Sequence, residues 1–228
     1  MLIWIICALT PQQVRDRLMA KDSEFTREII AYLEGAQTGD FFTGSLDDMK
    51  AKYPDARPPD LDPTQLLPVP PPTSRCPNPS SSCICEDCEA FERWTEQYQN
   101  RVDHVLYRTN VHTCFVKRNV VVDGSQKQLI VGKGCLNKDR VCTARFPRNI
   151  FKETEVDKDG HISLKKKESY INTVNDTMVY CYGCNTDCTS LSSGTAIKAT
   201  AGYIADYICK MGLKTYQIFS SIYDVFER

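Results

Sequence analysis

Histidine is scarce in this chain of 228 residues: His104, His112 and His161 are the only three, and no two of them form a His-x-His pair. A strong charge of one sign is missing too. The formal net charge is −1, so the chain as a whole is not a polycation. The opening apolar run, residues 2–9, has no basic region before it and no small-residue cleavage site after it, which argues against a secretory signal. It is also about half of the roughly 20 residues that a membrane-spanning helix needs. These absences lead to the expectation of an intracellular, reduced protein. In that setting the 12 cysteines are read first as metal ligands and only then as disulfides.

A hydrophobic fraction of 42% supports a real core, and a compact chain of this length buries roughly 70% of its unfolded surface. Charge is uneven within that balance. Residues 1–65 lean acidic. Between Arg108 and Lys152, ten Lys or Arg face two acids, Asp123 and Asp139, a local balance of +8. Such a block suits a phosphate-contacting surface, and it also suits an ordinary solvated face.

The pattern divides the chain at residues 1–53, 54–88 and 89–228. Residues 2–9 read as a buried strand, and a strand at the second residue suggests a chain cut from something longer. Thr10-Pro11-Gln12-Gln13 is a helix start, with a Thr cap, a Pro at the first position and a Gln three residues after the cap. Phe25, Ile29, Tyr32 and Leu33 mark a second helix ending near Gly35. Ten of the 12 prolines lie between Pro54 and Pro79, which predicts a linker or surface insertion that loops out. Helical spacing returns over Glu89–Tyr107. A hairpin turning near Asp123-Gly124 follows, then strands at 171–174 and 178–180. A helix is expected from Gly194 to Lys210, and a last amphipathic one carries Tyr216, Phe219, Tyr223 and Phe226.

Four constellations bear chemistry. His112, Cys114, Cys135 and Cys142 make a complete tetrahedral zinc set, with the hairpin between its ligand pairs; the bland alternative is small buried cysteines. Cys76, Cys83, Cys85 and Cys88 lie within thirteen residues and suit a second zinc knuckle, or a loop that is merely cysteine-rich. Cys181, Cys184 and Cys188 lack a fourth ligand unless Cys209 or Asp187 supplies it, and packing is the better account. On the helix after Gly194, Ile197, Ala201, Ile204 and Ile208 form a stripe assigned to the core. Tyr203, Tyr207 and Lys210 share the adjacent stripe, where a phenol beside an amine is a possible nucleophile toward a phosphodiester; half-buried aromatics on an amphipathic helix give the same pattern.

Taken in order, His112-x-Cys114, Cys135, Cys142-Thr-Ala-Arg145-Phe146-Pro147-Arg148, Tyr170-Ile171-Asn172-Thr173, Cys184-Asn185-Thr186-Asp187 and Tyr203-x3-Tyr207-x2-Lys210 resemble the replication-initiator nuclease domain of Helitron-type rolling-circle transposases, in its fungal form. The similarity covers about residues 104–228, and more loosely Met1-Leu2-Ile3-Trp4. It implies an α+β fold with an antiparallel sheet under helices and a zinc-knuckle insertion. It assigns Tyr203 and Tyr207 to cleavage and transfer of single-stranded DNA, with Lys210 near the phosphate. His112, Cys114, Cys135 and Cys142 match the family's zinc-like cluster, and Arg145 and Arg148 become candidates for the DNA backbone. In that family a His-hydrophobic-His strand holds Mg or Mn, a helicase domain follows in the same polypeptide, and the site of action is nuclear. This sequence has no such His pair, so Met1 is expected to fall just after the missing motif. Without the cation the attack loses its main electrostatic stabilisation, and the expected outcome is a chain that neither nicks nor joins DNA. Two other classes remain: a small zinc-binding interaction module, and a secreted disulfide protein.

Overall fold

The computed structural model describes residues 9–20, 23–53, 62–80, 82–122, 125–190 and 194–209. Their elements run α1 (Pro11–Met19), α2 (Ser23–Ala36), α3 (Leu46–Lys52), α4 (Glu86–Thr109), β1 (Phe115–Val122), β2 (Ser125–Gly132), β3 (Glu155–Val156), β4 (Ile162–Ser163), α5 (Asp176–Tyr182) and α6 (Gly194–Cys209). The class is mixed α+β, with six helices and two separate two-stranded antiparallel sheets, β1–β2 and β3–β4, among the described residues. None of these helices is long and apolar enough to cross a membrane. The chain forms two compact units. One comprises Met1–Thr26, Lys158–His161 and Ser190–Arg228; the other comprises Arg27–Asp157 and Ile162–Thr189.

The first unit contains α1 and α6. The start of α1 follows its sequence signal: the Thr10 hydroxyl accepts from the Gln13 N–H, the Gln13 side chain accepts from the Thr10 N–H, and Pro11 holds the first turn. Residues 2–8 of the expected strand lie outside the described residues, and Leu9, its last position, is exposed and in no strand.

The second unit is organised by α4. Val102, Val105 and Leu106 are fully buried on one face, against Met49 of α3, Val179 and Tyr180 of α5, and Phe41, Ile171 and Val174 from connecting segments. Asp103 is fully buried in the same turn. Its carboxylate accepts from the backbone N–H groups of Phe42 (2.7 Å) and Thr43 (2.8 Å) and from the Thr43 hydroxyl (2.6 Å). A buried charge is tolerated there because three donors satisfy it, and they fix the 41–43 loop to the helix.

Two expectations need correction. Residues 178–180 are helical, within α5, and not a strand. Asn175 caps that helix by accepting from the Met178 N–H, and Gly183 ends it in the left-handed conformation at φ 59°. Val179 and Tyr180 reach the core by adjacency on a short helix, which a run of apolar letters does not distinguish from a strand. Residues 171–174 form no strand either, only an isolated bridge between Thr38 and Val174. Their remaining polar groups go elsewhere: Lys166 donates to the Ile171 carbonyl and Thr173 to the Cys188 carbonyl.

The described part of the Pro-rich segment does not loop out. Its carbonyls are held by α4 and α5: Val69 accepts from the Trp94 indole and the Tyr180 hydroxyl, and Leu66 accepts from Arg101. The hairpin is present and longer than expected, pairing Phe115 with Gly132 through to Val122 with Ser125. Asp123 and Gly124, the expected turn, lie outside the described residues.

Candidate metal centres

Two groups of side chains converge so that four potential ligand atoms lie within 4.8 Å of one another: His112, Cys114, Cys135 and Cys142, and Cys76, Cys83, Cys85 and Cys88. They sit at the two ends of α4. Cys85 is the N-cap of the helix and Cys88 lies in its first turn; His112 follows the C-cap, Asn110, by two residues. At 1.5 Å per residue the 24-residue helix spans about 36 Å.

The His112 group is assembled from three places. The Asn110 side chain donates to the Thr186 carbonyl (2.6 Å), and the His112 N–H donates to the Tyr170 carbonyl (2.7 Å), which fixes the chain as it leaves α4. Cys114 immediately precedes β1, and Lys133, just past β2, donates its N–H to the Cys114 carbonyl (2.9 Å), so the hairpin ladder brings its own two ends together. The loop then returns. The Cys135 carbonyl accepts from the Thr143 N–H (2.7 Å), and Arg145, at φ 61°, donates its N–H to the Cys142 carbonyl (2.9 Å). The result places His112 Nε2 at 3.5 Å from Cys114 Sγ, 3.6 Å from Cys135 Sγ and 3.4 Å from Cys142 Sγ.

Those distances test the fit to zinc. Bonds of about 2.3 Å to sulfur and about 2.0–2.1 Å to nitrogen, at tetrahedral angles, give N···S edges of about 3.6 Å and S···S edges of about 3.8 Å. The three N···S separations match the first. Cys76 Sγ to Cys83 Sγ, at 3.9 Å, matches the second and is far beyond a disulfide's bond length of about 2 Å. The eleven cysteines among the described residues are all free. Both groups can therefore hold an ion such as zinc. Four protein ligands leave no open position, which makes each a structural rather than a catalytic set.

Their electrostatics suit ligation. Burial, then the nearby Lys133 and Arg148, hold His112 below the ordinary imidazole value, favouring the neutral form that binds metal. Cys114 is pushed up to about 11 by burial and by the thiols of Cys135 and Cys142, whereas Cys142 is lowered chiefly by the Phe146 backbone N–H. At the other end of α4, Cys85 is lowered to about 7, chiefly by the Cys88 backbone N–H at the helix start, and Cys88 is pushed up by the Cys85 and Cys83 thiols. The thiolate is therefore favoured at Cys142 and at Cys85, and it is in that form that cysteine binds a metal ion.

Around the His112 group lie features the sequence did not announce. The Phe146 ring stacks on the His112 imidazole at 4.2 Å and 8°, and the Arg148 guanidinium lies 4.7 Å from the Phe146 centroid. Arg148 is half-buried, donates to Asn172 (3.2 Å), and has a buried Nε with no hydrogen-bond partner among the described residues. Arg145 is exposed, as are Lys133, Lys138 and Arg140. The motif Cys142-x-x-Arg145-Phe146-Pro147-Arg148 was the available signal, since an aromatic set between two cations beside a ligand is the raw material of such a stack.

Among the described residues the remaining candidates form no third group of this kind. Cys181 and Cys184 are exposed, and the half-buried Cys188 points its thiol at the Ala36 carbonyl. Tyr203 is 62% exposed on α6; the Tyr207 side chain and Lys210 fall outside the described residues. Ala201 and Ile204 are exposed as well, so the core assignment of that stripe is corrected at these two positions. Apolar spacing decides which residues share a face, and only packing decides whether the face is covered. No family model, curated protein or solved structure matches the chain.

Proposed function

We propose that this chain is a zinc-organised module that binds single-stranded DNA without cutting it, related to the nuclease half of Helitron-type replication initiators. The observation that carries it is the convergence of His112, Cys114, Cys135 and Cys142 at tetrahedral spacing inside the most basic stretch of the chain. Three thiolates and one imidazole make a soft, four-coordinate environment that favours zinc over harder divalent ions. Its loop presents Lys133, Lys138, Arg140 and Arg145 to solvent against the single acid Asp139. Fixed cations on a metal-braced loop are a natural footprint for a phosphate backbone, and the hairpin leading into it adds Lys117, Arg118 and Lys127 by sequence.

The Helitron relationship rests on motif order, from His112-x-Cys114 through Arg145-Phe146-Pro147-Arg148 to Tyr203-x3-Tyr207-x2-Lys210. An HUH-like core belongs to that same proposal, as do Tyr203, Tyr207 and Lys210 as vestiges of a cleaving helix. The exposure of Tyr203 accords with it. The prediction of no cleavage follows from three histidines of which no two are paired for a divalent cation.

The test is fluorescence anisotropy of the zinc-loaded chain with a labelled single-stranded oligonucleotide across a salt series. Expected is binding that weakens with salt in proportion to the phosphates neutralised, with a log–log slope of about −0.7 per contact. Lys138→Glu with Arg140→Glu should weaken it about tenfold or more at low salt. Zinc binding with no affinity for single-stranded DNA would sink the proposal and leave a plain zinc interaction module. Incubation with Mg or Mn should produce no nick, and Tyr203-dependent cleavage by the pure chain would overturn the non-catalytic part.

A further inference from the structure

The Pro-rich segment lies along α4 in register, running antiparallel to it. The Leu66 carbonyl accepts from Arg101 Nη2 at 2.7 Å. The Val69 carbonyl accepts from Trp94 Nε1 at 2.9 Å and from the Tyr180 hydroxyl at 2.6 Å. The Arg75 guanidinium stands 5.0 Å from the Phe91 centroid, and Cys76 joins Cys83, Cys85 and Cys88. Residue numbers rise along the strap as they fall along the helix. Trp94, Tyr98 and Tyr180 form one aromatic platform beneath it, with centroids 4.7–6.2 Å apart.

This strap has little of its own to hold it. Pro68, Pro70, Pro71 and Pro72 lack N–H groups and build no ladder. Leu67 is 88% exposed and Val69 54%, so their side chains contribute little burial. What remains is a few hydrogen bonds to carbonyls, each worth about 0.5–1.5 kcal/mol net, and the Arg75–Phe91 contact, against the entropy of ordering a ten-residue tether. Its N-terminal end is seated: Pro63 is buried, and Asp62 accepts from the Thr64 N–H (3.0 Å) and hydroxyl (2.7 Å). Its C-terminal end meets the four thiols.

We propose that Cys76, Cys83, Cys85 and Cys88 form a zinc clasp that locks the Pro-rich strap onto the Trp94–Tyr98–Tyr180 platform, so that the metal content of this site sets whether the strap is docked. Binding of one Zn2+ displaces the protons still held by the four cysteines and leaves a doubly negative centre. The N-terminus of α4, where the Cys88 N–H already faces Cys85, is the end of a helix that stabilises negative charge. Three of the ligands belong to or adjoin α4, while Cys76 belongs to the strap, so the ion joins the two. The clasp does not depend on the DNA proposal.

The full chain, reconstituted with Zn2+ alone, should bind two equivalents, and Cys76→Ser should bind one. In Co2+ substitution the variant should keep only the spectrum of the three-thiolate site. Trypsin cleavage after the exposed Arg75 should rise about tenfold in Cys76→Ser, and equally when the wild-type chain is stripped by a limiting chelator. The chelator arm stands even if the variant misfolds. Equal cleavage of metal-loaded and metal-free wild type, or two zinc ions retained by a folded Cys76→Ser, would overturn the clasp. Single-stranded DNA binding should be unchanged in that variant, so the two proposals fail separately.

Discussion

The two cysteine groups occupy opposite ends of one helix, yet they are built from different kinds of sequence. Cys76, Cys83, Cys85 and Cys88 fall within thirteen residues, so a short loop and a helix start suffice to bring them together. The His112 group spans thirty-one residues and closes only when β1 and β2 hold the register that pairs Phe115 with Gly132. Their surroundings differ as well. Lys133 and Arg148 stand near His112, and a zinc centre of three thiolates and one imidazole, with one net negative charge, is at ease between them. The first turn of α4 carries Glu86, Asp87 and Glu89, and there the helix start itself must compensate a four-thiolate centre. On the zinc proposals, an ion at the His112 group would brace tertiary structure, and one at the four-thiolate group would close a local strap.

The sharpest way to break this contrast is to remove one ligand from each group. Cys142→Ser should lose one zinc and lower the melting temperature of the chain by about 10 °C, while Cys83→Ser should lose one zinc and lower it by under about 3 °C. Equal losses in a thermal melt would mean that the four-thiolate group carries tertiary structure too. The middle of α4 gives a reference that involves no metal. Asp103→Ala removes the buried acceptor that holds the Phe42 and Thr43 donors to α4 and should cost about 2–3 kcal/mol in denaturant unfolding with zinc stoichiometry intact. Zinc loss in that variant would show that core and metal sites fold as one. A smaller effect is expected from Phe146→Leu, which removes the ring stacked on His112 and should weaken zinc at that site about tenfold in a competition titration, with the four-thiolate site unmoved.

What could be read from the sequence followed how local each determinant is. The α1 start at Thr10-Pro11-x-Gln13 and the hairpin before Cys135 were legible because the chemistry lies within a few residues. Both metal groups were legible because ligand type and count are written in the sequence, though convergence is not. The segment 171–182 was misread because Val174, Val179 and Tyr180 are buried by α4, and apolar content without enough length cannot separate a strand from a two-turn helix. The stack of Phe146 on His112, separated by thirty-four residues, could not be inferred from spacing. Nor could the docked strap. Proline density forbids regular structure, but it says nothing of which donors meet the free carbonyls, and here they come from Trp94, Arg101 and Tyr180.

The strap also permits the finest comparison, between its metal end and its aromatic end. The Val69 carbonyl has two acceptor positions, one used by Trp94 and the other by Tyr180. Tyr180→Phe keeps the buried ring and removes only the hydroxyl, and because Val69 is more than half exposed, water can take the vacated position. The cost should therefore sit at the low end of a net hydrogen bond, about 0.5–1 kcal/mol, and stay local to the strap. In the trypsin assay after Arg75 this corresponds to a rise of about two- to fivefold, below that of Cys76→Ser. If Tyr180→Phe opened the strap as far as Cys76→Ser while zinc stayed at two per chain, the aromatic platform and not the ion would be what holds it.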